Sequence, residues 1–240
     1  MRKAFRPTAL PAWLAPIAFA PFVLGVVTTP QAVTIDEGVF RVSIAGRDAG
    51  SESFSIRQTG SGATATITAT GRISLESGGR TEQITTQLQL SGDYRPAEYQ
   101  LRIEGAGQER VTGQLRGTRF TAHVVSPSGE RMREYIVSDR SVILDTNVAH
   151  HYHFVARQVG NAGGIVSLIF PRAGSQAQAD VTVTGSASIE VDGTTVDART
   201  LAIRPAGGPD QLLWVDRQNR VLRVEVPTTG YVAQRTTLPR

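Results

Sequence analysis

The alternation of apolar and polar side chains between residues 63 and 75 constrains the fold more than any other feature. Apart from Gly71, the odd positions carry Ala, Ile or Leu, and the even positions up to 70 carry threonine. Successive side chains of a β-strand point to opposite faces of the sheet, so this segment has one apolar and one polar face. It is therefore predicted to be a strand that covers a core on one side and meets water on the other.

Further segments with this period, and one largely apolar run at 165–170, are separated by short turns rich in Gly, Ser and Asp. The segments lie near residues 40–44, 53–57, 84–90, 99–104, 111–115, 120–124, 131–137, 181–191, 196–203, 212–215, 222–226 and 231–236. This spacing predicts an all-β, mainly antiparallel fold of about a dozen strands. A sheet of that size does not stay flat, so we expect a large curved sheet or a half-open barrel. No low-complexity linker interrupts residues 33–240, which are predicted to form a single antiparallel β domain.

Residues 146–159 lack this alternation and are predicted to form one short helix. Apolar side chains recur there at intervals of three and four, which places them on one face of a helix. Asp145 or Thr146 would cap the first turn of this helix, and Gly160 would end it. An irregular loop is the alternative interpretation. A helix at this point would cover the concave face of the sheet.

The first 32 residues have the layout of a secretory signal peptide. Arg2, Lys3 and Arg6 form a positive start, and residues 10–27 contain no charged side chain. Small and polar residues follow, and cleavage is predicted after Ala32. The alternative is an uncleaved anchor, although an apolar stretch of 18 residues with three prolines makes a poor membrane span. In either case the domain is expected in the periplasm or cell envelope, with membrane contact only through a retained N-terminal segment.

The remainder of the chain is nearly neutral and gives no support to nucleic-acid binding. Three of the 25 basic residues and none of the 21 acidic residues lie in the first 32 positions, which leaves 22 basic against 21 acidic residues. The basic residues form no run and are not interleaved with aromatic residues. The chain has no cysteine, so disulfides, thiolate metal sites, thiol catalysis and a lipidated cysteine anchor are excluded.

The sequence contains no recognised catalytic motif, and neither catalytic residues nor a cofactor is predicted. It has no Gly-x-Ser-x-Gly nucleophile elbow, no phosphate-binding loop and no dinucleotide fingerprint. Glu76, Glu82, Glu98 and Glu104 fall at outward positions of the predicted strands. This placement favours solvated surface charge over the paired carboxylates of a glycoside hydrolase.

Three of the four histidines, His150, His151 and His153, lie close together in the sequence. Such a cluster can bind a metal ion or transfer protons. Neither a helix nor a strand would direct all three rings toward one ion, so a metal site would need a further ligand such as Asp145 or His123. We favour a polar, partly exposed helix face over a metal site at these histidines.

Trp214 is the one tryptophan beyond the export segment, and aromatic residues also lie in the predicted helix. Tyr152, Phe154, Val155 and Trp214 are predicted to contact an apolar ligand on the concave side of the sheet. Core packing is the alternative, because large aromatic side chains are usually buried for their hydrophobicity alone.

Three segments resemble a group of uncharacterised exported bacterial β-sheet proteins. They are residues 46–54, 191–198 and 213–227, in which turn motifs join alternating strands. The architecture that this resemblance implies is similar to the half-barrel of periplasmic lipoprotein carriers of the LolA and LolB type. The chain departs from the LolB pattern, because it has no cysteine to carry a lipid anchor.

These observations lead to three functional hypotheses. The first is a non-catalytic cell-envelope protein that holds an apolar or lipid-like ligand in the concavity of the sheet, with the helix as a lid. The second is a structural or partner-docking envelope protein with no small-molecule ligand, which would use a sheet edge or the polar face. The third is a metal-dependent enzyme that uses the His150–His153 region.

Overall fold

The computed structural model describes residues 32–105 and 107–239 and is almost entirely β-sheet. The strands are β1 (Val33–Ile44), β2 (Arg47–Thr59), β3 (Thr66–Ser77), β4 (Arg80–Ser91), β5 (Pro96–Gly105), β6 (Glu109–Arg116), β7 (Arg119–Ser126), β8 (Gly129–Ile136), β9 (Ser141–Ile143), β10 (Gly164–Phe170), β11 (Ser175–Val191), β12 (Thr194–Pro205), β13 (Gln211–Val215), β14 (Val221–Val226) and β15 (Tyr231–Arg235). A 3₁₀ turn spans Gly62–Thr64, and the helix α1 spans Tyr152–Val159. All but the last residue of the predicted export segment, residues 1–32, lies outside the described residues.

All 15 strands belong to one sheet, which runs in the order β8-β7-β6-β5-β4-β3-β2-β1-β15-β14-β13-β12-β11-β10-β9. Neighbouring strands are antiparallel except β9 and β10, which are parallel. The first and last strands pair with each other, so two meanders meet at the β1–β15 ladder. The prediction of an all-β, mainly antiparallel fold with one short helix is confirmed.

The alternation that predicted β3 matches its burial pattern in the structure. Ile67, Ala69 and Ile73 are buried, whereas Thr66 and Arg72 are exposed. The same alternation continues across the ladders that join β3 to β2 and β4, so the inward side chains of successive strands lie side by side. β3 begins at Thr66, and Ala63, which was predicted to face the core, is exposed in the 3₁₀ turn.

The sheet curls around α1 without closing. α1 packs against β10, β13 and β14, and β9 packs against β5. The side-chain amide of Gln176 on β11 donates to the Ile136 carbonyl on β8 at 2.7 Å and accepts the Ile136 N–H at 3.2 Å. In the part of the chain that the structure describes, the edge strands β8 and β9 are not paired with each other. The result is a curved, unclosed sheet whose interior is filled by its own core.

The helix is shorter than predicted and is buried inside the sheet. It begins at Tyr152 and ends before Gly160, which has a φ of +55° as the predicted helix end requires. The N-cap position is His151, which makes no side-chain capping bond, so the predicted cap at Asp145 or Thr146 is wrong. The Asp145 side chain instead accepts hydrogen bonds from Tyr99 and Arg172.

The core is one large cluster of apolar side chains from both meanders and from α1. It includes Phe40, Phe120 and Leu168, all fully buried. A smaller cluster on the other face of the sheet contains Val191, Ala198 and Leu222. No helix within the described residues is long and apolar enough to span a bilayer.

Candidate functional site

A cavity of about 330 Å³ opens at the end of the sheet where α1 begins. Its walls come from the β10–β11, β12–β13 and β14–β15 turns and from the segment that joins β9 to α1. Leu144, Phe170 and Val226 supply apolar wall, and the turns add alanine, glycine and proline. Since turns of the second meander form most of this wall, the ladder order of β10 to β15 determines the shape of the cavity.

Asp145, whose side chain is buried, is one of the residues that line the cavity. Its Oδ2 accepts a hydrogen bond from the Tyr99 hydroxyl at 2.9 Å, and its Oδ1 accepts one from the Arg172 backbone N–H at 3.2 Å. Burial raises the pKa of Asp145 to about 7, although both hydrogen bonds lower it. The Arg172 guanidinium is paired with Glu109 at 3.1 Å. Asp145 is therefore a carboxyl group that changes protonation near neutral pH.

Two tyrosines and a glutamine form a polar part of the same wall. The Tyr231 hydroxyl and the Gln211 side-chain oxygen are buried and have no hydrogen-bond partner. Burial raises the pKa of both Tyr152 and Tyr231 above that of an ordinary phenol. The nearby Glu52 carboxylate has a smaller effect in the same direction. Both hydroxyls are therefore neutral at physiological pH and can donate a hydrogen bond.

Glu52 and His150 form a fully buried pair near these tyrosines. The Glu52 Oε1 lies 2.6 Å from His150 Nδ1 and accepts the His150 backbone N–H at 2.9 Å. Its Oε2 accepts the Ala149 N–H at 2.7 Å. One carboxylate thus holds both the backbone before α1 and the imidazole of His150 against β2. Neither residue contributes to the cavity wall.

The other two histidines are also buried, so the predicted partly exposed helix face is wrong. Burial holds the pKa of His151 well below its usual value and lowers that of His153 to about 4, so both rings are neutral at pH 7. The His150 and His151 rings meet edge to face with their centroids 4.5 Å apart. Among the described residues, no group of three or more potential ligands is placed to hold a metal ion.

Of the four residues predicted to contact a ligand, Tyr152 lies in the cavity wall. Phe154 and Val155 are buried in the main core, where Phe154 meets the His153 ring edge to face. Trp214 packs against the smaller cluster on the other face, and the Arg223 guanidinium lies 5.6 Å from the centre of its ring. The structure therefore does not bring these four residues together.

Sequence reasoning missed Glu52, Tyr231 and Gln211, although a signal existed for the first two. Glu52 lies two and four positions before the buried Phe54 and Ile56 on β2, so it shares their face of the strand. Tyr231 lies two positions before the buried Ala233 on β15. Alternation alone therefore places both side chains inward. Gln211 begins β13 next to a turn, and no local pattern distinguishes it from an exposed turn residue.

We expect Gly71→Ala to lower the free energy of unfolding by about 1–3 kcal/mol, because the new methyl group would overpack the core. A Cβ atom on Gly71 would lie 2.4 Å from Cε1 of His150 and 2.9 Å from the Thr86 hydroxyl. The imidazole cannot easily move away, since Glu52 holds its Nδ1 at 2.6 Å. Urea unfolding measures the effect. In a His150→Ala background the same substitution should cost much less, and an equal cost in both backgrounds would contradict this contact.

Comparison with known proteins identifies a similar fold and no family. No protein-family model matches the chain, and none of the curated proteins matches it. A crystal structure of a β-barrel-like protein of the domain of unknown function DUF1849 from Brucella abortus matches with a TM-score of 0.50 and 10% identity, over 87% of this chain and 97% of the other. A DUF1089 family protein from Pseudomonas aeruginosa matches with a TM-score of 0.41 and 14% identity, over 88% of this chain and 98% of the other. The chain thus resembles, at the level of the fold, a β-barrel-like protein of a domain of unknown function.

Proposed function

We propose that the protein is a non-catalytic binding protein of the cell envelope that holds a small, mainly apolar ligand in the cavity beside α1. The observation that carries this proposal is a mainly apolar cavity lined by Tyr231 and Gln211, each of which has a buried side-chain oxygen without a partner. Buried polar groups in folded proteins are nearly always hydrogen-bonded, so unpartnered groups in a cavity wall point to a missing partner. A bound ligand would supply that partner.

The size of the cavity limits the ligand to a small molecule or a single acyl chain. Its volume of about 330 Å³ is near the lower end of the range of ligand pockets, roughly 300–1,000 Å³. The remaining concave face of the sheet is covered by α1 and by the core, so no room for a larger lipid exists there in the described residues. The predicted lid over an open concavity is therefore replaced by a buried helix with a cavity at its N-terminal end.

Two observations support a role without catalysis. Glu52 and His150 resemble the carboxylate and base of a catalytic pair, but both are 0% exposed and neither contributes to the cavity wall. Asp145 does reach the cavity wall, but both of its oxygens accept hydrogen bonds from the protein. A ligand in the cavity would thus meet a binding surface and no activated nucleophile.

The location in the cell envelope is supported by the N-terminal sequence. Residues 1–32 combine a positive start with an uncharged apolar stretch, as exported precursors do. The likeness to lipoprotein carriers remains a prediction, and the cavity described here would suit one chain of a lipid better than a whole lipid.

The proposal is tested by expressing the full chain in a Gram-negative host and recovering it from the periplasmic fraction. The protein mass then reports whether residues 1–32 have been removed, and native mass spectrometry with organic extraction reports a bound molecule. We expect a co-purifying apolar species. Ala177→Phe would fill the cavity from its half-buried position in the wall and should abolish co-purification.

Ala187→Phe is the matched control, because it changes another half-buried alanine of β11 away from this cavity. It should retain the bound species, and circular dichroism should show that both variants are folded. An empty wild-type protein, or equal retention by the two variants, would contradict the proposal.

A partner-docking role is the second candidate, and the edge strand β8 favours it. Met132 and Ile136 on this strand are each 66% exposed, and β8 has one ladder neighbour, β7. Exposed edge strands can accept an extended peptide as an additional strand. The Gln176 amide already occupies the backbone N–H and carbonyl of Ile136, so a peptide would pair with the earlier residues of β8.

A further inference from the structure

We infer that the polar end of the ligand is a primary ammonium group on an apolar chain. The inference rests on the proposed function, because it concerns the same cavity and defines the chemical class that the cavity accepts. Three features of the cavity wall lead to it: the balance of charge, the number of hydrogen-bond acceptors, and the arrangement of apolar surface.

The charge of the cavity wall disfavours an anionic ligand. Of the described residues that form the wall, Asp145 is the one with a carboxyl group, and none is a lysine, arginine or histidine. The Arg172 guanidinium, which acts on the pKa of Asp145, is paired with Glu109 at 3.1 Å and also donates to the Thr146 carbonyl. A carboxylate or phosphate head would therefore enter a buried site without a cation and beside a carboxyl group, which is unfavourable.

Two polar residues that line the cavity, Gln211 and Asp145, offer hydrogen-bond acceptors. The Gln211 oxygen is an acceptor without a partner, and the ionised Asp145 carboxylate can accept more bonds than the two that it receives. The Tyr231 hydroxyl, also without a partner, can accept as well as donate. An ammonium group has three N–H donors and no acceptor, and it carries the charge that complements Asp145.

The apolar wall would hold the chain of such an amine. Leu144, Phe170 and Val226 lie in the same cavity as Asp145, together with the alanines and prolines of the turns. Transfer of an alkyl chain from water to these side chains is favourable in proportion to the apolar area that becomes buried. An alkylamine would thus fill both the polar and the apolar parts of the cavity.

The protonation of Asp145 should make amine binding depend on pH. The charged and titratable groups near Asp145 are Tyr99, Tyr135, Arg172 and Glu109, and burial is the largest influence on its pKa of about 7. Alkylamines stay protonated below about pH 10, as lysine does. The ionised fraction of Asp145 therefore rises about tenfold between pH 6 and pH 8, and affinity should rise by up to the same factor.

The test is isothermal titration of the full chain, as purified from the host, with octylamine, octanol and octanoate at pH 6 and pH 8. These probes share one chain and differ in the head. We expect octylamine to bind most tightly, with affinity up to about tenfold higher at pH 8, and octanoate to bind most weakly. Asp145→Asn should remove the pH dependence for octylamine and leave octanol nearly unchanged.

Tyr231→Phe tests whether the Tyr231 hydroxyl contributes to ligand binding and not to the stability of the fold. Because its hydroxyl has no partner in the protein, its loss should leave the urea midpoint unchanged or higher, while octylamine binding weakens. Equal binding of all three probes, or tightest binding of octanoate, would overturn the amine inference and leave the proposed function standing. Binding of none of the probes, with an empty protein from the periplasm, would overturn both.

Discussion

Glu52→Ala is expected to lower the free energy of unfolding by about 3–5 kcal/mol, because each buried polar group that loses its only partner costs roughly 1–3 kcal/mol. The Glu52 carboxylate accepts the backbone N–H groups of Ala149 and His150 and also lies 2.6 Å from His150 Nδ1. Alanine would leave all three groups buried without a partner. The segment before α1 would then lose its attachment to β2, and chemical denaturation followed by circular dichroism measures the loss.

Two further variants distinguish this explanation from a general sensitivity to mutation. Glu52→Gln retains one acceptor oxygen and should give an intermediate loss. Glu104→Ala removes an exposed carboxylate that pairs with Arg102 at 2.7 Å, and it should change stability by less than about 1 kcal/mol. A loss for Glu52→Ala no larger than that for Glu104→Ala would show that the buried carboxylate does not hold the helix segment.

Arg235→Ala should have an effect of similar size, about 3–5 kcal/mol, because it leaves the Asp36 carboxylate buried without its partner. The two side chains form two parallel hydrogen bonds, with Nη1 3.0 Å from Oδ2 and Nη2 2.8 Å from Oδ1. Arg235 also donates to the backbone carbonyls of Glu37, Thr237 and Val221. The pair links β15 to β1 at the junction of the two meanders. Burial already raises the pKa of Asp36, and removal of Arg235 would raise it further.

Urea unfolding of two comparison variants tests the geometry of this pair. Arg235→Lys keeps the charge but lacks the planar fork, so it should recover part of the loss and not all of it. The Asp36→Ala and Arg235→Ala double variant should be less destabilised than the sum of the single variants. Simple additivity would contradict a direct interaction between the two side chains.

The sequence predicted the strands and their inward faces because alternation depends on the backbone of each strand alone. In β3 the buried Ile67, Ala69 and Ile73 follow directly from this period. The same rule extends to Glu52, whose inward position is predictable from Phe54 two residues later. What the rule cannot supply is the partner, since Glu52 and His150 are 98 residues apart and meet because the sheet curls.

The burial of the histidines and the position of the cavity could not be predicted from the local sequence either, because both depend on contacts between residues that are far apart in the chain. His150, His151 and His153 have the polarity of an exposed helix face, yet the surrounding strands enclose α1 on several sides. The cavity is formed by turns that are distant in sequence, and no turn has a motif that predicts its neighbours in space. Of the residues predicted to contact a ligand, Tyr152 lines the cavity, whereas Trp214 packs on the opposite face of the sheet.

The pairing of β1 with β15 has a consequence for the time at which the protein can fold. Phe40 lies opposite Arg235 in this ladder, and the Asp36–Arg235 pair joins residues 199 positions apart. Contacts of such long sequence separation form slowly, because the entropy of closing a large loop must be overcome before the contacts stabilise the chain. The β1–β15 ladder cannot form until the last strand has been synthesised. β1 therefore keeps one unpaired edge until β15 is present, and the ladder at the centre of the sheet is among the last of its ladders that can form.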